Sequence, residues 1–261
     1  MGGAMDRKWM DDFAVTSLKV ECAKYPCLST AHIEVGGTYP IWDGEILVHN
    51  ESELSVNSFE GCVSVQIKSQ GVDRLSGETG TYSGVEIKRL IEYKKEGGVL
   101  YFVVEIHKET KETKIYYAAL VRYDIQEILE LIPESQVSTT ITLSALPSDQ
   151  YLNIDIICRN FLEQRGKSIP TKLLTPSKID EIMSSNPVSF SFVSGKDSPL
   201  NYLFRNPTYF SVKDEYGTET VVSKAYVDQV IEKTDVKSIS IDGKCYFTSM
   251  LEITKNDGTK V

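Results

Sequence analysis

The sequence lacks the features that mark membrane and secreted proteins. It contains no uninterrupted apolar run of about 18 residues, which a membrane span would need. It also has no basic start followed by an apolar stretch and a small-residue cleavage site, so a signal peptide is not predicted. We therefore expect a cytoplasmic protein without a membrane partner. Four residues precede Met5, which we take as the natural start.

Common cysteine, histidine and glycine motifs are also missing. The five cysteines include no Cys-x-x-Cys pair, which argues against a zinc ribbon and a disulfide framework. The three histidines are too dispersed to predict a histidine-ligated metal. Neither Gly-x-x-x-x-Gly-Lys-Ser/Thr nor Gly-x-Gly-x-x-Gly occurs, so nucleotide hydrolysis and dinucleotide binding are not predicted.

Basic residues are fewer than acidic ones, 28 against 37, which gives the 261 residues a net charge of −9. This balance counts against a passive nucleic-acid coat protein, which binds by displacing counterions with lysine and arginine. It does not exclude a nuclease, since a carboxylate-rich metal site is acidic until its cation binds. Basic pairs such as Lys88-Arg89 and Lys94-Lys95 can still line a DNA path.

Hydrophobic periodicity in the first half predicts alternating helices and strands. We predict helices over 9–24, 84–96 and 124–131, and strands over 29–35, 39–48, 62–69, 99–107 and 114–122. Gly44 indicates a bulge in the second strand. This order is typical of an α/β (α+β) domain in which helices flank a mixed sheet. A boundary at 133–136 separates predicted domains at 5–132 and 137–261.

The second half is less regular. We predict strands over 188–193, 208–212, 236–241 and 246–253, and short helices over 178–184 and 225–232. The prediction is a β-rich α+β accessory domain for assembly, sensing or DNA positioning. Because residues 256–261 resemble a hairpin turn followed by the start of a strand, we expect the natural protein to continue further.

Strand alternation over 62–69 separates an apolar face from a polar face that carries Ser64, Gln66 and Lys68. Taken alone, the Gln-x-Lys pattern fits an edge strand with one solvated side. The context adds weight, because Asp43 lies at a glycine break in the preceding strand. An acid at a bend, followed by a Gln-x-Lys strand and a helix, is an unusual order to meet by accident.

Two segments, Ile41–Ile46 and Val63–Ser69, resemble the PD-(D/E)xK nuclease superfamily. Within it they are similar to the Gln-x-Lys families, such as Mrr-like restriction enzymes and anti-phage defence effector nucleases. The resemblance spans residues 9–125 and implies a restriction-endonuclease-like core. It also implies a metal-dependent DNA endonuclease that hydrolyses phosphodiester bonds in duplex DNA. A homo-oligomer and a further defence-system partner are expected on the same basis.

The resemblance assigns a role to each motif residue. Asp43 supplies a hard carboxylate oxygen to Mg²⁺ or Mn²⁺. Gln66 stands where many relatives have a second acid, and its amide oxygen is expected to ligate the metal without adding charge. Lys68 orients or deprotonates the attacking water and stabilises the charged transition state.

The sequence leaves alternatives for any additional acidic metal ligand. Relatives often add an acid from the first helix, for which Glu21 is the best-placed candidate and Asp12 the second, although each also fits a solvated helix position. Glu45 returns to the face of Asp43 by alternation, either as a second metal ligand or as an exposed strand residue. The competing hypothesis for the whole chain is a noncatalytic nucleic-acid-binding or assembly module in which Gln66 marks a decayed metal site.

Overall fold

The computed structural model describes residues 6–34, 41–52, 54–133, 135–194, 199–214, 216–233, 236–241 and 244–248. Contacts divide the chain into two compact units. The first comprises Met1–Ser148 and Asn153–Leu162, and the second comprises Asp149–Leu152 and Glu163–Val261. The predicted boundary at 133–136 therefore falls within the first unit. Among the helices in these described ranges, none combines the length and apolar composition that a bilayer span requires.

The first unit follows the predicted alternation of helices and strands. In chain order it contains α1 (Arg7–Cys22), β1 (Leu28–Ser29), β2 (Gly44–His49), β3 (Phe59–Val72), β4 (Thr79–Glu86), α2 (Ile87–Lys95), β5 (Gly98–His107), β6 (Thr113–Val121), α3 (Arg122–Leu131), β7 (Ser138–Ala145) and the first part of α4 (Ile154–Arg165). The end of the strand predicted over 29–35 and the start of the strand predicted over 39–48 lie outside the described residues.

Seven strands form one mixed sheet in the order β1-β2-β3-β5-β6-β7-β4. Within this sheet β3 and β5 are parallel, and the other pairs are antiparallel. The predicted α/β (α+β) class, with helices on a mixed sheet, is confirmed. β5 is buried from Gly98 to Ile106, and helices α1 and α2 both pack against it. Its continuous apolar run is typical of such a central strand.

Helix α1 is amphipathic and packs against β3. Its buried residues are Ala14, Val15, Leu18 and Cys22, which recur at helical spacing. The helix begins after Asp6, whose Oδ1 accepts the Lys8 N–H at 3.0 Å. This packing brings the first turns of α1 next to the C-terminal half of β3.

Gly44 begins β2, and the bulge predicted there is absent. The β2–β3 register runs without interruption from Gly44 to Val48 and shifts only between Val48 and His49. The glycine is required for a different reason. Its φ is +152°, and a Cβ would lie 2.3 Å from the carbonyl oxygen of His32. The close approach of the chain after β1 therefore explains the residue.

The helix predicted over 84–96 begins only at Ile87. Residues 79–86 form β4, for which no strand was predicted, and it pairs antiparallel with β7. The strand is short of large apolar residues and mostly exposed, so its local pattern is weak. Its pairing partner lies more than 50 residues later in the chain.

The second unit contains two three-stranded antiparallel sheets. Its elements are α5 (Pro176–Ser185), β8 (Val188–Ser189), α6 (Pro199–Arg205), β9 (Thr208–Lys213), β10 (Glu219–Ala225), β11 (Val227–Lys233), β12 (Val236–Ile241) and β13 (Lys244–Thr248). The helix predicted over 225–232 is wrong, because Ala225 ends β10 and residues 227–232 belong to β11. Residues 249–261 lie outside the described part.

Candidate active site

Asp43 is fixed across from Gln66 at the end of the β2–β3 pair. Its N–H donates to the carbonyl oxygen of Val65, the register partner of Gly44, at 2.9 Å. Its Oδ2 accepts the backbone N–H of Ile67 at 2.7 Å and a hydrogen bond from Nε2 of Gln66. Backbone and side-chain bonds thus hold the carboxylate at this position.

Gln66 is buried between Asp43 and helix α2. Only 1% of its surface is exposed, and its Oε1 accepts from the Tyr93 hydroxyl at 2.7 Å. Burial raises the pKa of Tyr93 to about 12, so the phenol keeps its proton and donates it. An amide oxygen bound in this way does not face Asp43. Metal ligation through this oxygen, as predicted from the sequence, requires the amide to turn over.

Lys68 lies on the same face of β3, one alternation further along the strand. It is half-buried and lines an open cleft. Among the residues that the structure describes, its ammonium group has no hydrogen-bond or ion-pair partner. A lysine in this situation can interact with an anionic ligand in the cleft.

The cleft follows β3 beyond Val65, where no described strand continues the pairing made by β2. Its volume is about 540 Å³, and its walls come from α1, β3, β4 and the segments before β2. The residues that line it are Arg7, Met10, Asp11, Ala14, Val15, Glu34, Asp43, Ile67, Lys68, Ser69, Gln70, Gly71 and Tyr82. We call this space the Asp43 cleft. It brings together two of the predicted residues, Asp43 and Lys68, while Gln66 lies behind them.

The helix acid that lines the Asp43 cleft is Asp11, which is not among the acids predicted from the sequence. Its Oδ1 accepts from the Ser69 hydroxyl at 2.6 Å. A signal for it exists in the sequence, because Asp11 precedes the buried Ala14, Val15 and Leu18 by three, four and seven residues. A carboxylate on the apolar stripe of an amphipathic helix is unusual, and it indicates that the side chain has a specific partner or ligand.

Glu21 does not reach this cleft. It lies ten residues after Asp11, or about 15 Å along the helix axis. Its Oε2 is 2.5 Å from the Lys24 ammonium, and its side chain lines a separate cleft. The second candidate, Asp12, is exposed to solvent.

Glu45 shares the strand face of Asp43 but lies away from the cleft. Its pairing partner is Ser64, one alternation back from Gln66. This separates it from Asp43 by about 7 Å along the strand. Glu45 is half-buried and is absent from the residues that line the Asp43 cleft. The geometry therefore favours its interpretation as a strand residue over a role as metal ligand.

The donors in the cleft suit a weakly held hard cation. Among the described residues, no three His, Cys, Asp or Glu side chains lie close enough to hold one metal ion. Asp43 nevertheless offers a carboxylate oxygen, Oδ1, that accepts no hydrogen bond from the described residues. Mg²⁺ is commonly bound through one or two carboxylates, with water and substrate oxygens completing its shell. The residues fit such a cation, with Asp43 as the main protein ligand.

Comparisons with protein-family models, with curated proteins and with solved structures found no match for this chain. Function must therefore be inferred from the geometry of the Asp43 cleft. That geometry combines a fixed carboxylate, a lysine with no partner among the described residues and an arginine, Arg7, in an open space at the end of a strand pair.

Proposed function

We propose that the chain is a metal-dependent endonuclease of the PD-(D/E)xK type, in its Gln-x-Lys form. It hydrolyses phosphodiester bonds in DNA as the effector of a bacterial anti-phage defence or restriction system. One observation carries the proposal: Asp43 is held opposite Gln66, and Lys68 lies on the same strand face with no partner among the described residues.

The chemistry requires a cation and a proton carrier near the scissile phosphate. When bound, Mg²⁺ or Mn²⁺ neutralises developing charge and polarises a water molecule. Asp43 provides its anchoring carboxylate. Lys68 reaches the same space, where its ammonium stabilises the negative charge of the transition state and orients the attacking water.

Charge in the cleft makes substrate binding depend on the cation. Asp11, Glu34 and Asp43 contribute three negative charges, and Arg7 and Lys68 contribute two positive charges, which leaves a net charge of −1. One divalent cation changes this to +1. We therefore expect a phosphate to bind here only after the metal. This order reconciles an acidic chain with an anionic substrate.

The decisive experiment is a cleavage assay on the full chain with duplex DNA and Mg²⁺ or Mn²⁺. Cleavage is expected in the wild-type protein and is lost on chelation with EDTA. It is also lost in Asp43→Ala and Lys68→Ala. Circular dichroism and thermal melting check that both variants remain folded. Absence of cleavage in the wild-type protein, or full activity in both variants, contradicts the proposal.

The alternative is a noncatalytic nucleic-acid-binding or assembly module on a decayed nuclease fold. Two observations favour it: the Gln66 amide oxygen is occupied by Tyr93, and no group of three acidic or thiol or imidazole ligands converges among the described residues. Calorimetric titration with Mn²⁺ separates the two functions. Binding that disappears in Asp43→Ala supports the nuclease, and its absence in the wild-type protein supports the module.

A further inference from the structure

We propose that Tyr93 is a positioning residue that fixes Gln66 as a hydrogen-bond donor to Asp43, so that Gln66 is not a metal ligand. This inference rests on the proposed function, because it assigns the roles within that metal site. It replaces the expected amide-oxygen ligand with a residue that orients the carboxylate.

The first step concerns the direction of the hydrogen bonds. An ionised carboxylate only accepts, so the amide end that faces Asp43 must be the donor, Nε2. The Oε1 end then faces the Tyr93 hydroxyl, which lies 2.7 Å away and donates to it. The amide therefore has one orientation that satisfies both neighbours.

The second step concerns the proton of Tyr93. Burial raises the pKa of Tyr93 to about 12, against a smaller lowering effect of the Arg89 charge one helical turn earlier on α2. The phenol therefore keeps its proton, and this O–H is the donor to Gln66. Donation thus runs in one direction, from Tyr93 through Gln66 to Asp43.

The third step concerns burial. Tyr93 has no exposed surface and Gln66 only 1%, so water cannot replace a hydrogen bond lost between them. Turning the amide over would place its oxygen against the Asp43 carboxylate and its NH₂ group against the Tyr93 hydroxyl, which would lose its acceptor. Both contacts are unfavourable in a buried site. Arg89 also donates to the carbonyl oxygen of Ile41 at 3.0 Å, which ties α2 to the segment before Asp43.

The amide orientation can be measured by NMR on the full chain with ¹⁵N-labelled glutamine. We expect the Gln66 Nε2 protons to show NOEs to the Hβ protons of Asp43, without and with Mg²⁺. NOEs to the ring protons of Tyr93 instead, in either state, overturn the inference. Spectra of Gln66→Leu identify the signals, because only the Gln66 resonances disappear.

Mn²⁺ titration of two variants gives a second readout. Tyr93→Phe frees Oε1, so the amide can turn its oxygen to the cation, and Mn²⁺ binding is expected to tighten by about threefold to tenfold, as loss of one hydrogen bond allows. In a Gln66→Leu background the same change should have no effect. Weaker binding in Tyr93→Phe, or equal tightening in both backgrounds, overturns the inference.

Failure of the inference and failure of the proposed function give different results. If the wild-type protein shows no Asp43-dependent Mn²⁺ binding, the proposed function fails, while the NOEs still determine how Gln66 faces Asp43. If Mn²⁺ binds and the NOEs connect Gln66 to Tyr93, the metal site stands and the positioning role is wrong.

Discussion

Two clefts are lined by helix α1. Each contains an acidic residue of the helix and a lysine from a strand, but the charged groups differ in whether they already have partners. The Asp43 cleft contains Asp11 and Lys68, while the second cleft, of about 390 Å³, contains Glu21 and Lys114. We call the latter the Glu21 cleft. Lys114 donates to the carbonyl oxygens of Ser76 and Gly77 at 3.2 and 2.6 Å.

The difference lies in which charges are already neutralised. Glu21 is paired with Lys24, and Lys114 lies 3.7 Å from Glu78, whereas Lys68 has no partner among the described residues. An acid and a lysine beside one helix do not define a site by themselves. A lysine left available to a ligand, next to a carboxylate fixed by the backbone, is what distinguishes the Asp43 cleft.

The largest predicted effect concerns Lys68. Lys68→Ala should lower the rate of DNA cleavage by about 1,000-fold, because the cleft loses its proton carrier and a stabilising charge. The free energy of unfolding should change by less than about 0.5 kcal/mol, since no hydrogen bond or ion pair with a described residue is lost. Initial rates and urea unfolding measure the two effects. A matched Lys114→Ala variant should cleave at the wild-type rate, and equal losses in both would erase the difference between the clefts.

Gly44 tests how strongly the fold around Asp43 is constrained. Gly44→Ala should lower the free energy of unfolding by about 2–4 kcal/mol, because its Cβ would collide with the His32 carbonyl at a positive φ. Gly77, near the Glu21 cleft, has open space where a methyl group would lie and serves as the control. Gly77→Ala should change stability by less than about 0.5 kcal/mol in the same urea titration. A tolerated Gly44→Ala would show that the close approach is not required.

The two helix acids give a direct comparison between the clefts. Asp11→Asn should slow cleavage by about tenfold, since the cleft loses a negative charge that attracts the cation. Glu21→Gln should leave the rate unchanged, because its carboxylate lies in the other cleft. Cleavage rates at several Mg²⁺ concentrations measure both. A greater loss in Glu21→Gln than in Asp11→Asn would restore Glu21 as the helix acid.

The smallest predicted effect concerns structure in the Glu21 cleft. Lys114→Met should lower the free energy of unfolding by about 1 kcal/mol, because the carbonyl groups of Ser76 and Gly77 lose a donor. Tyr116, whose hydroxyl also donates to these carbonyls, limits the loss. Thermal unfolding measures the change, and a stability equal to wild type would show that the Lys114 contacts contribute nothing.

The sequence predicted best where one local pattern decides the structure. The apolar stripe of α1 and the continuous apolar run of β5 each identify an element without knowledge of its partners. Lys68 was selected because strand alternation fixes which residues share a face, and Asp43 because it lies at a glycine break in the preceding strand. The structure places both residues on the lining of one cleft, and their catalytic roles stay predictions.

Longer-range contacts explain what was missed. β4 and β7 are paired across the chain, and β7 lies beyond the expected boundary at 133–136. Residues 227–232 have a pattern that also fits a helix, but pairing with β12 makes them a strand. The choice of Asp11 over Glu21 depends on where α1 meets the sheet, which periodicity alone does not fix. The orientation of Gln66 depends on Tyr93, a residue on another element.

The pairing of β3 has a consequence for the order in which the chain folds. Its first half pairs with β2 in a local hairpin, and its second half pairs with β5, whose partner residues lie 35 positions later, as with Val65 and Leu100. Local pairing closes faster than a crossover of this length. Asp43 and Gln66 can therefore meet early during synthesis. The second half of β3, which carries Lys68, gains its neighbouring strand only once β5 has been synthesised, so the complete cleft is among the later parts of this unit to form.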